Sequence, residues 1–347
     1  MKKILTLVLC LCMMLTMVTV FASCGKADYK LGMGVVVSMD SSKTGTAQVD
    51  ATVATVVTDA DGKIVACRID VAQNKMNVTD GAIEATKTFE TKMELGTRYG
   101  MAGKVDNDGN GVKLEWDEQA KAFETYVVGK TADEIKNMEL QEKGGHKIAV
   151  DQALLDAGCS MQITDFIDAV VKACNDEQGV SFTAKKDSFT LGVAAKTTVD
   201  AATVAATATD AGLVAMYTDF ACAVVAKDGK ILASLNDAIQ PKISIDAAGN
   251  ITNKAFTATK RELKENYGMA GKVDANNDGV KLEWYVQSEA FSKHVVGKTA
   301  DEVKNMETAA NSLGYQMTTD AALLEAGCTI QITGIKAVVA QAATNAR

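Results

Sequence analysis

The stretch GMAGKVDNDGNGVKLEW, from Gly100 to Trp116, has a near copy in GMAGKVDANNDGVKLEW, from Gly268 to Trp284. Aligned without a gap, Tyr99 to Glu139 and Tyr267 to Glu307 are identical at 29 of 41 positions, and the match resumes as DAGCS at Asp156 and EAGCT at Glu325. Upstream the halves agree more weakly, through LGMG at Leu31 and LGVA at Leu191, then DGKIVA at Asp61 and DGKILA at Asp228. Self-similarity at one fixed offset is the signature of a duplicated unit. Each unit is roughly 150 residues long, near the usual domain size. The expected organisation is a repeat over residues 31–175, a linker over 176–188 with the join in the polar run NDEQG from Asn175 to Gly179, and a second repeat over 189–347.

Within the first repeat, Val35 to Val37 and Ala47 to Val57 are rich in β-branched residues, and the Asp61-Gly62 pair leads into Ile64 to Ile69. Apolar alternation on both sides of an Asp-Gly pair predicts a hairpin. After Trp116, Ala120, Phe123 and Val127 recur at three- and four-residue steps, which predicts a short helix stopped at Gly129. Thr131 followed by Glu134 is a capping box that starts another helix. Asp151 to Leu155 predicts a helical turn, Met161 to Ile163 a short strand, and Thr164 onward an amphipathic helix. The second repeat carries the same signals. The expected fold class is α+β: two tandem copies of an antiparallel sheet domain with short packing helices, after an N-terminal signal peptide.

The signal peptide is read from Lys2 and Lys3, the apolar run Ile4 to Phe21, and Ala22, Ser23 and Cys24. A basic start, an apolar run and small residues at the cleavage point define an exported chain. The segment resembles a bacterial lipoprotein leader, in which the cysteine is lipidated and becomes the first mature residue. That implies removal of residues 1–23, a lipid on Cys24, a tether over 24–30, and a folded part on the extracytoplasmic face of the cell membrane. Residues 1–23 carry two lysines and no acid, so cleavage takes the formal net charge from −8 to −10. So acidic a surface is repelled by nucleic acid, which is excluded as a partner. The cysteines left in the mature chain beyond Cys24 are Cys67, Cys159, Cys174, Cys222 and Cys328. They form neither a disulfide framework nor a zinc pattern and are expected as buried apolar residues.

Several apparent motifs fail on spacing. The GKT at Gly129 and Gly297 lacks the P-loop glycine five residues earlier, where Glu124 and Ser292 stand. Asp106, Asp108, Asn110 and Gly111 match the first half of a calcium loop, as do Asp274, Asn276, Asp278 and Gly279. The twelfth position, which should be a glutamate, is Asp117 in one copy and Tyr285 in the other, so no metal site is assigned. The two histidines, His146 and His294, do not correspond between repeats, and no catalytic residue is assigned. What remains is the repeated aromatic, amide and lysine set Tyr99, Lys104, Trp116 and Gln119, with Tyr267, Lys272, Trp284 and Gln287, expected to line a ligand pocket.

On these features the chain resembles the FMN-binding domain family of exported bacterial flavoproteins, in particular tandem-domain lipoproteins. The shared order is a hairpin with DGKI, a central helical region, and a small-residue motif before a final helix. In the family that motif ends in a hydroxyl residue joined to FMN by a phosphoester. Here the corresponding residues are Ala157, Gly158, Cys159 and Ser160, and Ala326, Gly327, Cys328 and Thr329, with Leu154 and Leu323 at the acidic position. The resemblance implies FMN as cofactor, at Ser160 or Thr329 if covalent and beside Trp116 and Trp284 if not, and electron transfer at the cell surface. An electron carrier or binding protein is expected rather than a turnover enzyme. The alternative expectation is a non-catalytic surface-binding module for a small ligand, a wall component or calcium.

Overall fold

Alternating small and β-branched residues build long strands in both halves. The computed structural model describes residues 25–84, 87–104, 106–109, 111, 113–270, 281–312 and 314–347. Residues 1–23, expected as a signal peptide, Cys24, Lys272, Asn110 and the second calcium-like run at Asp274 to Gly279 lie outside them. The first half runs β1 (Lys26–Ser38), β2 (Thr46–Thr58), β3 (Ile64–Thr79) and β4 (Ala82–Ile83) as an antiparallel meander. Next come α1 (Lys92–Leu95), α2 (Trp116–Tyr126) and α3 (Ala132–Lys136), then the hairpin β5 (Leu140–Lys143) and β6 (His146–Ala149), then α4 (Gln152–Asp156) and α5 (Thr164–Cys174).

The second half runs β7 (Val180–Lys185), β8 (Phe189–Val199), β9 (Gly212–Ala226), β10 (Ile231–Ile239), β11 (Lys242–Ile245) and β12 (Ile251–Ala255). It continues through α6 (Lys260–Leu263), α7 (Trp284–His294), α8 (Ala300–Lys304), β13 (Thr308–Ala310), β14 (Gln316–Thr318), α9 (Ala321–Glu325) and α10 (Thr333–Thr344). The α+β class holds, with antiparallel sheets. β10 and β11 both pair with β9 and together match the single strand β3. The break falls at Pro241, the one proline in the chain, which has no amide hydrogen to give to a ladder. Three local expectations change, the first being that residues 26–30, expected as part of a tether, are the start of β1 and pair with β7. Met161 to Ile163 is an irregular connection into α5 rather than a strand, and residues 176–188, expected as linker, contain β7, which pairs with β1 and extends the first sheet to β4-β3-β2-β1-β7.

Side-chain parity sets the layers, because successive strand residues point to opposite faces. Val49, Ala51, Val53 and Val57 of β2 join a core cluster with Val214, Met216, Phe220 and Cys222 of β9, so the two sheets face each other across one shared apolar layer. The opposite parity, Ala54 and Val56 in β2 and Ala221 and Ala223 in β9, packs under the helices of its own half. The order is helix, sheet, sheet, helix. The repeated LG dipeptides explain the tightness of the outer layers. A Cβ on Gly32 would stand 2.0 Å from Ala173 O in α5, and one on Gly192 would stand 1.9 Å from Ala342 O in α10.

The halves also exchange contacts reciprocally. Lys172 Nζ in α5 meets Glu262 Oε1 at 2.6 Å, and at the matching positions Gln341 in α10 donates to Glu94 Oε1 at 2.6 Å. The segment after α5 crosses to the second half, where Asp176 pairs with Arg261 at 3.1 Å. The segment after α10 crosses back, and Arg347 pairs with Glu124 at 2.8 Å.

Candidate functional site

The repeated stretch is a loop closed at its base. In the first half the Met101 amide donates to Glu115 Oε2 at 2.9 Å, and in the second the Met269 and Ala270 amides donate to Glu283 at 3.0 and 2.9 Å. These glutamates immediately precede α2 and α7, whose first residues are Trp116 and Trp284. One helical turn on, Gln119 and Gln287 are buried. Gln119 Oε1 accepts the amides of Ser160 and Met161, both at 3.0 Å, while its Nε2 donates to Leu114 O at 3.1 Å. Gln287 repeats this, accepting from the Thr329 amide at 2.7 Å and donating to Leu282 O at 2.8 Å. Each glutamine therefore staples the loop to the small-residue motif. That is a structural reason for its repetition.

The aromatic rings are capped from inside. Lys92 Nζ, at the start of α1, lies 4.9 Å from the Tyr99 ring centre and 5.4 Å from that of Trp116. Lys260 Nζ, at the start of α6, lies 4.5, 4.7 and 5.2 Å from Tyr217, Tyr267 and Trp284. It also donates to the Tyr217 hydroxyl at 3.1 Å. Ammonium groups over aromatic faces are attracted by the ring quadrupole, more strongly when desolvated. Burial pulls Lys260 down to about 8, against the opposing pull of Asp219, Asp237 and Asp200. Burial pushes Asp219 up to about 7, with Lys260 opposing. Asp70 and Asp237 hold the two lysine-bearing turns in place by accepting the Met93 and Arg261 amides at 3.1 and 3.0 Å, and burial lifts Asp70 to about 6.

An acid stabilised by the lysine stands on a different element in each half. In the first it is Asp165, on the opening turn of α5, which Lys92 stabilises against burial and the repulsion of Asp168 and Asp50. The matching residue of α10 is Gly334, and the acid is supplied instead from β9 by Asp219, where the first half has Thr52.

Of the residues expected to line a pocket, the described ones, all but Lys272, gather at the bases of the two loops, most of them buried or half-buried. Trp116, Trp284, Ser160 and Thr329 are 3%, 4%, 1% and 3% exposed, Tyr99 and Tyr267 are half-buried, and Lys104 is exposed with its Nζ beside Gly100. Lys92, Lys260, Asp219 and Asp70 are absent from the set read from sequence. Their signal is the TKMEL and TKREL pair at Thr91 and Thr259, each a capping box just upstream of the strongest match. The five described cysteines sit in or beside the cores, and burial pushes Cys159, Cys222 and Cys328 up to about 12, far from the thiolate a nucleophile needs. His294 faces Asp320 at 3.2 Å, where the first half has Tyr126 donating to Asp151 at 2.6 Å. Among the described residues no group of three His, Cys, Asp or Glu side chains is placed to hold a metal ion.

A recess opens instead at the crossing of the halves. It has a volume of about 290 Å³ and lies between Glu177 to Val180, β10 and α7. Its floor is Leu235, Asn236, Ser288 and Ser292, with Arg261 at one side and Tyr285 and Glu289 at the rim. Asn236 Nδ2 donates to Ser292 Oγ at 2.7 Å, and Ser288 Oγ donates to Asn236 Oδ1 at 2.6 Å. No family model, curated protein or solved structure matches the chain.

Proposed function

We propose that the chain is a lipid-anchored protein of the extracytoplasmic face of the bacterial cell membrane, built from two tandem copies of one sheet-and-helix domain, and that it acts as a non-catalytic binding module for a cell-surface component. The observation that carries this reading is the contrast between the two kinds of site. The repeated polar and aromatic groups are spent on holding the fold, whereas the recess at the crossing is open and edged by polar side chains. Concave sites with a few convergent polar groups are where small ligands bind. A flavin phosphoester on Ser160 or Thr329, or a flavin stacked on Trp116 or Trp284, requires those groups to be uncovered, and α2 or α7 would have to lift away. The geometry therefore favours binding without a resident redox cofactor.

The anchor and the binding are tested together. Purified full-length protein is mixed with washed cell-wall material from its host and sedimented, and membrane fractionation compares the wild type with Cys24→Ala. Saturable co-sedimentation with the wall, and release of the variant from membranes, support the reading. A protein that stays in the supernatant at every wall concentration and purifies yellow would replace it with the flavin carrier.

A further inference from the structure

The recess at the crossing has a counterpart in the first half that is filled. At the matching place Glu124, 3% exposed, stands between Arg68 at 3.6 Å and Arg347 at 2.8 Å and accepts the Ile69 amide at 2.8 Å. Arg68 also donates to the Arg347 carbonyl. In the second half every member of this ion cluster is replaced by a smaller or uncharged residue. Arg68 becomes Leu235, Glu124 becomes Ser292, and Arg347 becomes Gln178, whose amide turns to the Arg261 carbonyl at 2.9 Å. β3 and α2 flank the first place as β10 and α7 flank the second, so lost side-chain volume contributes to opening the recess, which Gly179 and Val180 of β7 also line.

The charges around it are already matched. Arg261 is held by Asp176 at 3.1 Å, Glu177 by Lys264 at 3.4 Å, and Glu289 by Lys293 at 2.6 Å. An ionic ligand would have to break one of these pairs. The floor is neutral, a buried hydroxyl and amide network whose members bond one another, so it presents no charge to a ligand. At the rim, Tyr285 replaces the Asp117 of the first half, and its hydroxyl donates to Glu265 at 2.7 Å, fixing the ring as a flat apolar wall. Its size is at the lower end of the range for small-molecule sites, about 300–1,000 Å³.

We infer that the recess binds an uncharged saccharide unit, one per chain, with the sugar's apolar face on Tyr285 and its hydroxyls directed to the accessible polar edge at Gln178 and Glu289. The inference rests on the binding-module reading and narrows it to glycan. It assigns the site to the second half alone, because the ion cluster occupies the matching place in the first.

The test is calorimetric titration of the full-length protein in detergent with N,N′-diacetylchitobiose and with cellobiose. The expected result is saturable binding of at least one of these disaccharides at a stoichiometry of one. Tyr285→Asp, which installs the first-half residue at a half-exposed position, should weaken binding at least fivefold while leaving the melting temperature close to that of the wild type. The double variant Leu235→Arg with Ser292→Glu, which rebuilds the ion pair, should abolish binding, and Arg68→Leu should leave it unchanged. Two sugars per chain, no saturable binding of either disaccharide, or affinity untouched by Tyr285→Asp would each overturn the inference. Wall co-sedimentation that persists while both sugars fail would refute the saccharide and leave the binding module standing, so the two failures are distinguishable.

Discussion

Gly334 leaves the space that the Asp219 carboxylate fills, since a Cβ on Gly334 would stand 2.2 Å from Asp219 Oδ2. The pair is the mirror of Thr52 and Asp165 in the first half, so the acid beside the capping lysine has moved from helix to strand while the space was cleared for it. A lysine buried among aromatic rings needs a nearby countercharge. That need constrains the presence of the carboxylate but not the element that carries it.

The protonation of these acids sets a pH dependence. Burial lifts Asp219 to about 7 and Asp70 to about 6, from an ordinary value of 3.8. The folded chain holds these protons where the unfolded chain has released them, so the stability each contributes is full below about 3.8 and is lost as pH rises through 6 and 7. Urea titrations across this window should show wild-type stability declining relative to Asp219→Asn. A difference between the two proteins that does not change with pH would show that Asp219 is not buried as an acid.

Replacing Gly192 by alanine should be costly. The atom it would meet is a backbone carbonyl of α10, which can yield only if the helix shifts. Overpacking of this kind costs about 1–3 kcal/mol. Gly32→Ala should behave alike against α5. Denaturation midpoints measure both, and a loss within about 0.5 kcal/mol, the scale of a neutral surface change, would contradict the close helix approach.

Gln119→Ala should destabilise the fold by about 1–3 kcal/mol for each of the Ser160 and Met161 amides left unpartnered. If Gln119 served mainly as a ligand contact, the substitution would instead leave unfolding unchanged and alter only binding. Differential scanning calorimetry separates the two outcomes.

A fragment covering residues 25–179 should not behave as a monomer. It would expose the face of β2 and β1 that packs on β9 and β8, including Leu31, Val35, Val49 and Val53, and would leave Glu124 without Arg347, its shorter ion pair. Exposed apolar faces of this size drive association. Analytical ultracentrifugation should find a dimer or larger species, and a well-folded monomer with a cooperative transition would show that each half carries a self-sufficient core.

Residue order alone determined the duplication, the Asp-Gly hairpins, the capping boxes at Thr131 and Thr299, the amphipathic final helices and the burial of the cysteines. Each of these depends on neighbours a few residues apart, or on a repeat that needs no geometry to be seen. Tertiary structure decided the rest. The strands of β2 and β9 are apolar on both faces, so their pattern cannot say which face meets helices and which meets the other sheet. The TKMEL and TKREL turns place a lysine over rings that are 7 and 24 residues away in the first half, and 7, 24 and 43 away in the second, and no local spacing encodes that meeting. The same limit applies to the crossing segments: Glu124 and Arg347 are 223 residues apart, and only the packing of the halves brings the charges together in one place and leaves a recess in the other.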